Sequence, residues 1–364
     1  MRVLFDHQTF SIQRYGGISR YFVNLNNGLN KVPGVHSEIA ALYTENEYLK
    51  STPVPLNNAW GKKLFSGHFN RIYRWNSRYC NFKIRRNNFN VFHPTYYDPY
   101  FIAGLKKPFV LTVHDMIHEL MPNQFADNDK VVAQKKLLIN RADAIIAISE
   151  YTKGDIIKFY PQVEDKITVI HHGYSFETHS SVEGGHNGKY ILFVGERPFY
   201  KNFSNFLKAL APLLSADKDL KLICTGGGAF SADELQLVAS LNITGQCHQV
   251  NVTDGELQQL YTDALVFVFP SFIEGFGLPL LEAFNAGCPV AASNTSCFPE
   301  IGGNAIAYFD PHHVESIRET ITTLLTDSDK RSGYITRGRE RLKLFSIEKQ
   351  VQQTLDVYRN LNNV

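Results

Sequence analysis

Two glutamates, Glu274 and Glu282, stand with seven residues between them in the string Phe-Pro-Ser-Phe-Ile-Glu-Gly-Phe-Gly-Leu-Pro-Leu-Leu-Glu-Ala that starts at Phe269. An ionised carboxylate only accepts hydrogen bonds, so a spaced pair of them suits the hydroxyls of a polyhydroxy ligand with two sugar rings. Gly275 and Gly277 let bare backbone approach such a ligand, and a helix opening near Pro279 would turn free N–H groups toward anionic oxygens. A second string, Phe193-Val-Gly-Glu-Arg-Pro-Phe-Tyr-Lys-Asn-Phe, puts Gly195, Arg197 and Lys201 between an apolar run and a helical pattern. There a guanidinium can grip a pyrophosphate bidentately while an ammonium adds point charge. Two further strings are weaker alone: the glycine turn Gly16-Gly17 inside Gln13-Arg-Tyr-Gly-Gly-Ile-Ser-Arg-Tyr, and Val113-His114-Asp115 at the end of an apolar run.

These residues need elements to hold them. Apolar, β-branched runs at 2–6, 37–43, 90–93, 108–114, 144–149 and 167–171 alternate with helix-period segments such as 17–29, 129–140 and 150–159. A polar, Gly- and Ser-rich stretch at 174–188 reads as a linker. A second pass follows, with strands at 190–194, 220–225, 249–252, 265–269 and 289–292, and helix caps expected at Asn202, Ser231 and Asp254. Short apolar strands alternating with helices imply parallel sheets covered on both faces. The expected architecture is two doubly wound α/β domains facing each other across a cleft. The boundaries are residues 1–173, a linker at 174–188, residues 189–344, and a terminal helix at 345–364 that braces the first domain. Ligands in such sheets bind outside the carboxyl ends of the strands, and each of the four strings follows or ends a strand there.

Composition excludes several classes. With 44% hydrophobic and 20% charged residues the chain is an ordinary globular one, and no apolar run reaches a membrane span. The N-terminus enters a strand without signal-peptide architecture, and five cysteines with no CxxC pair fit a reducing cytoplasm. Residues 1–173 hold 22 of the 37 Lys and Arg but 14 of the 35 Asp and Glu, a net of +8 that the rest of the chain offsets with −6. The excess concentrates between Tyr48 and Tyr97, where nine basic residues, Arg74, Arg78, Arg85 and Arg86 among them, meet no acidic one and are interleaved with Trp and Phe. Such a stretch can sit on anionic lipid headgroups at the inner face of the plasma membrane or receive a phosphorylated acceptor. The plainer alternative is a solvated basic helix whose aromatics belong to the core. No nucleic-acid partner is expected.

The string from Glu274 to Glu282 resembles the E-x7-E motif of retaining glycosyltransferase family 4, and Gly195 to Phe203 resembles that family's basic signature. Gly-Gly-Ile-x-Arg-Tyr at Gly16 and the strand-terminal His114-Asp115 resemble two more of its elements. The resemblance runs from Asp6 to about Leu361 and implies a GT-B fold. It implies that Glu274 holds the donor sugar, that Glu282 holds the ribose, and that Lys201 and Arg197 neutralise the donor diphosphate. Gly16, Gly17, Gly195, Gly275, Phe276, Gly277 and Leu278 would line the donor, and His114 would face the transferring sugar. Arg197 stands where some members carry an apolar residue, so Lys201 is the firmer transfer. The implied reaction is metal-independent, keeps the anomeric configuration and uses no cofactor beyond the nucleotide-sugar substrate. The expected donor is a GDP-sugar carrying mannose or a related deoxyhexose, with UDP- and dTDP-sugars as alternatives. The expected acceptor is an oligosaccharide or lipid-linked precursor of a bacterial surface polysaccharide such as O-antigen or capsule. Asp127-Asn-Asp129 and Asp327-Ser-Asp329 match a metal-binding D-x-D only formally, since both precede helical segments and are read as caps. A nicotinamide dehydrogenase is excluded by the missing G-x-G-x-x-G after the first strand. A sugar-nucleotide epimerase or a non-enzymatic sugar binder remains to be separated by assay.

Overall fold

The apolar runs become short parallel strands, most trimmed by a residue or more because the ends of each run lie beyond the hydrogen-bonded ladder. A computed structural model describes residues 1–50, 52–126, 129–174 and 188–362. The chain divides into two units, Met1–Gly173 with Ser346–Val364, and Tyr174–Phe345. Apart from Tyr174 and Gly188, the stretch read as a linker lies outside the described residues, as does Asp127.

Unit 1 contains β1 (Arg2–Phe5), β2 (His36–Ile39), β3 (Val91–His93), β4 (Val110–Val113), β5 (Ala144–Ala147) and β6 (Ile167–Val169). Two three-stranded parallel sheets, β2-β1-β3 and β4-β5-β6, are joined by the parallel bridge Phe92–Phe109. Helix Gly17–Leu29 has the predicted bounds, because Tyr21, Phe22, Leu25 and Leu29 recur on one face and are buried. The C-terminal helix Ile347–Asn362 packs in the same core through Val351, Leu355 and Tyr358. Its Tyr358 hydroxyl lies 2.6 Å from His93 Nδ1.

Unit 2 contains β7 (Tyr190–Val194), β8 (Lys221–Thr225), β9 (Cys247–Val250), β10 (Val266–Phe269), β11 (Val290–Ser293) and β12 (Ala307–Phe309) in one parallel sheet of order β12-β11-β10-β7-β8-β9. Every residue of β10 and β11 is buried, as expected of central strands covered on both faces. Two of the three expected caps differ. Ser231 forms a full capping box with Glu234. Thr253 and Glu256 make the next box, so the cap is the residue before Asp254. Asn202 adopts the left-handed conformation at φ 57° and makes no side-chain cap; its amide instead donates to the Pro311 carbonyl at 2.8 Å.

Candidate active site

In the unit 2 sheet the strand order reverses between β7 and β10, because successive strands lead outward from each in opposite directions. The crevice at the carboxyl ends of such a pair is where an open α/β sheet binds ligands. The loops that leave β7 and β10 carry Lys201 and Glu274. Lys201 Nζ lies 2.5 Å from Glu274 Oε1, and the two side chains are only 15% and 12% exposed. Ser271 Oγ donates to the same carboxylate oxygen at 2.7 Å. The loops are also stitched through backbone, with Phe272 N donating to the Tyr200 carbonyl at 2.8 Å.

The main chain of Glu274 is held from a third loop, the one after β11. Its N–H donates to Ser296 Oγ at 3.0 Å, and that hydroxyl lies 3.2 Å from the Glu274 carbonyl. Ser296 itself sits at φ 54°, a conformation a non-glycine residue holds only when its surroundings impose it. Downstream, Gly277 takes φ 90° as the residue before helix Leu278–Ala286, where a side chain would be strained. Pro279 falls in the first turn of that helix. One turn along, Glu282 Oε2 accepts from the buried Tyr261 hydroxyl at 3.1 Å. Gly275, Phe276 and Gly277 are buried and Leu278 half-buried, so this loop is built into the unit and not draped over it.

Chemically, the cluster offers an ammonium with three donors and a carboxylate that already accepts two of its possible bonds on one oxygen. Lys201 can turn donors to a diphosphate while Glu274 accepts from sugar hydroxyls. A fixed ammonium in a largely dry site stabilises developing phosphate charge far better than one in water.

Arg197 is placed differently from the diphosphate role given to it by resemblance. Its guanidinium binds Glu234 at 2.8 Å and donates to the carbonyls of Gly226, Gly228 and Ala229 at 2.9–3.0 Å. The side chain is 4% exposed and stacks over Phe230, 5.0 Å from the ring centroid. In this structure it clamps the glycine loop after β8 and turns no donor to the Lys201–Glu274 pair. Gly195, at φ 125°, lies against that loop, where a Cβ on Gly226 would come within 3.1 Å of it.

Residues 176–341 match the family described as Glycosyl transferases group 1, and residues 15–178 the one described as Glycosyltransferase Family 4. The O-antigen chain mannosyltransferase B of Escherichia coli is 31% identical over 290 residues, covering 74% of this chain and 74% of that protein. The chain belongs to glycosyltransferase family 4. The O-antigen chain mannosyltransferase RfbU of Salmonella typhimurium is 28% identical over 233 residues, 62% of this glycosyltransferase and 64% of its own length. Among solved structures, HepE of Anabaena in complex with UDP and glucose superposes with a TM-score of 0.75 at 15% identity, over 99% of this chain and 100% of that one. Sucrose-phosphate synthase of Thermosynechococcus elongatus gives 0.71 at 18%, over 99% and 98%. The fold of this glycosyltransferase is GT-B, with two Rossmann-like units.

In unit 1 of the glycosyltransferase, His114 follows β4 and is 6% exposed. Its N–H donates to the Tyr97 hydroxyl at 3.1 Å, and Nε2 has no hydrogen-bond partner. Burial pushes its pKa down to about 4, with Asp115 acting upward and Lys135 downward, so the ring is neutral at pH 7. It stacks on His172 and meets the Tyr21 ring edge-on at 5.4 Å. His93, by contrast, is satisfied by Tyr358 and by Thr112 at 2.8 Å and reads as structural. Gly16 precedes helix Gly17–Leu29 in extended backbone, and Ser19 Oγ donates to its carbonyl at 3.0 Å. Glu300, inside helix Phe298–Gly302, accepts through its carbonyl from Arg341. Asp129 accepts from Val131 N at 2.8 Å, and Asp327 caps helix Ser328–Leu342.

Four residues support the site through contacts that the sequence does not give: Ser271, Ser296, Tyr261 and Glu234. Ser271 alone carried a local signal, a hydroxyl three residues before Glu274. The other three reach their partners across 21 to 37 residues, through topology.

Proposed function

We propose that this glycosyltransferase transfers a mannosyl residue from GDP-mannose, with retention of configuration, to a growing lipid-linked oligosaccharide of a bacterial surface polysaccharide. The Lys201–Glu274 pair at the sheet reversal carries the donor half of this reading. In it Lys201 meets the diphosphate and Glu274 the sugar hydroxyls, while Glu282, oriented by Tyr261, accepts from the ribose. Gly195 and the loop from Gly275 to Leu278 present backbone to the donor. Unit 1 serves the acceptor, while Gly16 and Gly17 keep the donor role, and neutral His114 the role beside the transferring sugar, that the family resemblance implies. The departing diphosphate takes the acceptor proton, and no metal or further cofactor takes part.

Mannose rests on relatives named as O-antigen mannosyltransferases in two organisms, and GDP on the family resemblance of the sequence alone. A UDP-sugar is the competing donor, favoured by the HepE complex with UDP and glucose. Thermal-shift titration with GDP, UDP, dTDP and their sugars separates these: GDP and GDP-mannose should raise the melting temperature most. Nucleoside diphosphate release should then require acceptor and fall sharply in Glu274→Gln. Release independent of acceptor, or an inverted anomeric proton signal in the product, would sink the reading.

A further inference from the structure

Helix Phe69–Arg86 buries Ile72, Asn76, Cys80 and Ile84, one residue per turn. At 3.6 residues per turn the opposite face holds Arg71, Arg74, Arg78, Arg85 and Arg86, and all five are exposed. Trp75 and Phe82 lie on that same face, exposed, with Arg78 over the indole at 5.2 Å and Arg86 over the phenyl ring at 4.8 Å. The neighbouring helix Ala59–Phe65 buries Gly61 and Phe65 and exposes Trp60 and Leu64. At the turn between the helices an open hollow of about 630 Å³ is lined by Arg71 and Arg74, with His68 and Phe69.

The sign of this face is unmixed. Lys83, on the buried flank, is paired with Glu38 at 2.9 Å, but among the described residues no carboxylate pairs with Arg74, Arg78, Arg85 or Arg86. Other surface helices of the chain are built the usual way, with Arg318 beside Glu315 and Arg359 beside Asp356. A merely solvated helix would carry both signs and keep its tryptophans inside. Unmixed arginines interleaved with exposed Trp, Phe and Leu match an interfacial helix, whose charges meet anionic headgroups while its rings enter the acyl boundary.

We propose that the outer face of helices Ala59–Phe65 and Phe69–Arg86 is a docking surface for an anionic lipid bilayer. It adds to the reading of a lipid-linked acceptor without depending on it, since donor binding is tested with soluble nucleotides. The chain has two tryptophans, Trp60 and Trp75, and both lie on this surface, 77% and 43% exposed. Tryptophan emission therefore reports on it selectively.

The full chain is mixed with phosphatidylglycerol–phosphatidylcholine vesicles and, separately, with phosphatidylcholine alone. Co-sedimentation with the anionic vesicles only, a blue shift of emission on binding, and weakening with added salt are expected. Arg74→Glu, Arg78→Glu, Arg85→Glu and Arg86→Glu together should weaken vesicle binding on the order of 100-fold or more. The same four changed to glutamine give a milder variant, checked for folding by circular dichroism. Trp75→Ala should weaken binding with the charge unchanged. The proposal is overturned by no binding at low salt, by binding without a blue shift, by glutamine variants that fold and bind like the parent, or by a single-stranded oligonucleotide that displaces the vesicles.

Discussion

Replacing Lys201 by methionine removes the ammonium from Glu274 and leaves the carboxylate with Ser271 as its remaining side-chain donor in that cluster. Deleting one partner of a fully buried pair costs about 3–5 kcal/mol, and exposed pairs contribute about 0–1 kcal/mol. At 15% and 12% exposure, with the serine bond kept, the cost falls to about 2 kcal/mol. For a unit of this size that lowers the melting temperature by roughly 4–8 °C. If Lys201 also meets the diphosphate, turnover falls by a further factor of about 10²–10³ that stability does not explain. The double variant Lys201→Met with Glu274→Gln separates the two effects. Neutralising the stranded carboxylate should recover about 1–2 kcal/mol of the lost stability, while activity stays lost. Thermal melts and initial rates of nucleoside diphosphate release at saturating donor measure both. If Lys201→Met turns over within threefold of the parent, or the double variant regains activity along with stability, the pair is a structural lock and the donor assignment fails.

Tyr261→Phe removes the hydroxyl that orients Glu282. Donor KM should rise about tenfold, with kcat within threefold, and equal loss of both would show a general packing defect. Arg197→Met unties Glu234 and the three carbonyls of the glycine loop, and should cost unit 2 about 2–4 kcal/mol. Lysine at that position should restore little, because it cannot reproduce the fork; a stable Arg197→Lys enzyme would count against the clamp. Acid should unfold unit 1. Burial lowers His7 and His93 to about 3, His114 to about 4, and His172 well below its ordinary value. The unfolded chain therefore binds more protons than the folded one below about pH 6.5, so stability is full above that pH and drains as pH falls toward 4. His7, His93 and His114 each contribute on the order of 3 kcal/mol to the loss and His172 acts in the same direction, while Asp6 and Asp155, whose burial raises their pKa, Asp155 to about 6, oppose it by at most two protons. Trp60 and Trp75 both lie in unit 1, so their emission follows its melting; a midpoint unchanged between pH 7 and pH 5 would contradict this.

What could be read from the chain was what is local. Helices Gly17–Leu29 and Glu150–Phe159 and strand Tyr190–Val194 keep their predicted bounds because each is delimited by its own apolar spacing and neighbouring turn residues. Glu274 and Lys201 were legible as loop residues following strands, yet their contact spans 73 positions and exists because β7 and β10 are sheet neighbours. For Arg197 the same holds in reverse. A cation before a helix looks free for an anion, but its acceptors arrive from the loop after β8, brought alongside by the β7–β8 ladder. Asn202 misled through backbone: a residue at φ 57° turns its amide away from the helix it precedes, whatever its capping propensity.

The arginine-rich stretch shows where local pattern and tertiary context must be read together. Its charge was plain from composition, but charge alone does not decide whether interleaved aromatics are core or surface. Packing sorts them by helical phase. Phe65 joins Tyr43 and Ile72 in a small satellite core, and Tyr73 spends its hydroxyl on Asp98. Trp60, Phe69, Trp75 and Phe82 have no such neighbours to bury them and remain exposed. On helix Phe69–Arg86 the exposed Trp75 and Phe82 are the aromatics phased with the arginines, and the proposed docking of this stretch on lipid rests on that coincidence of phase.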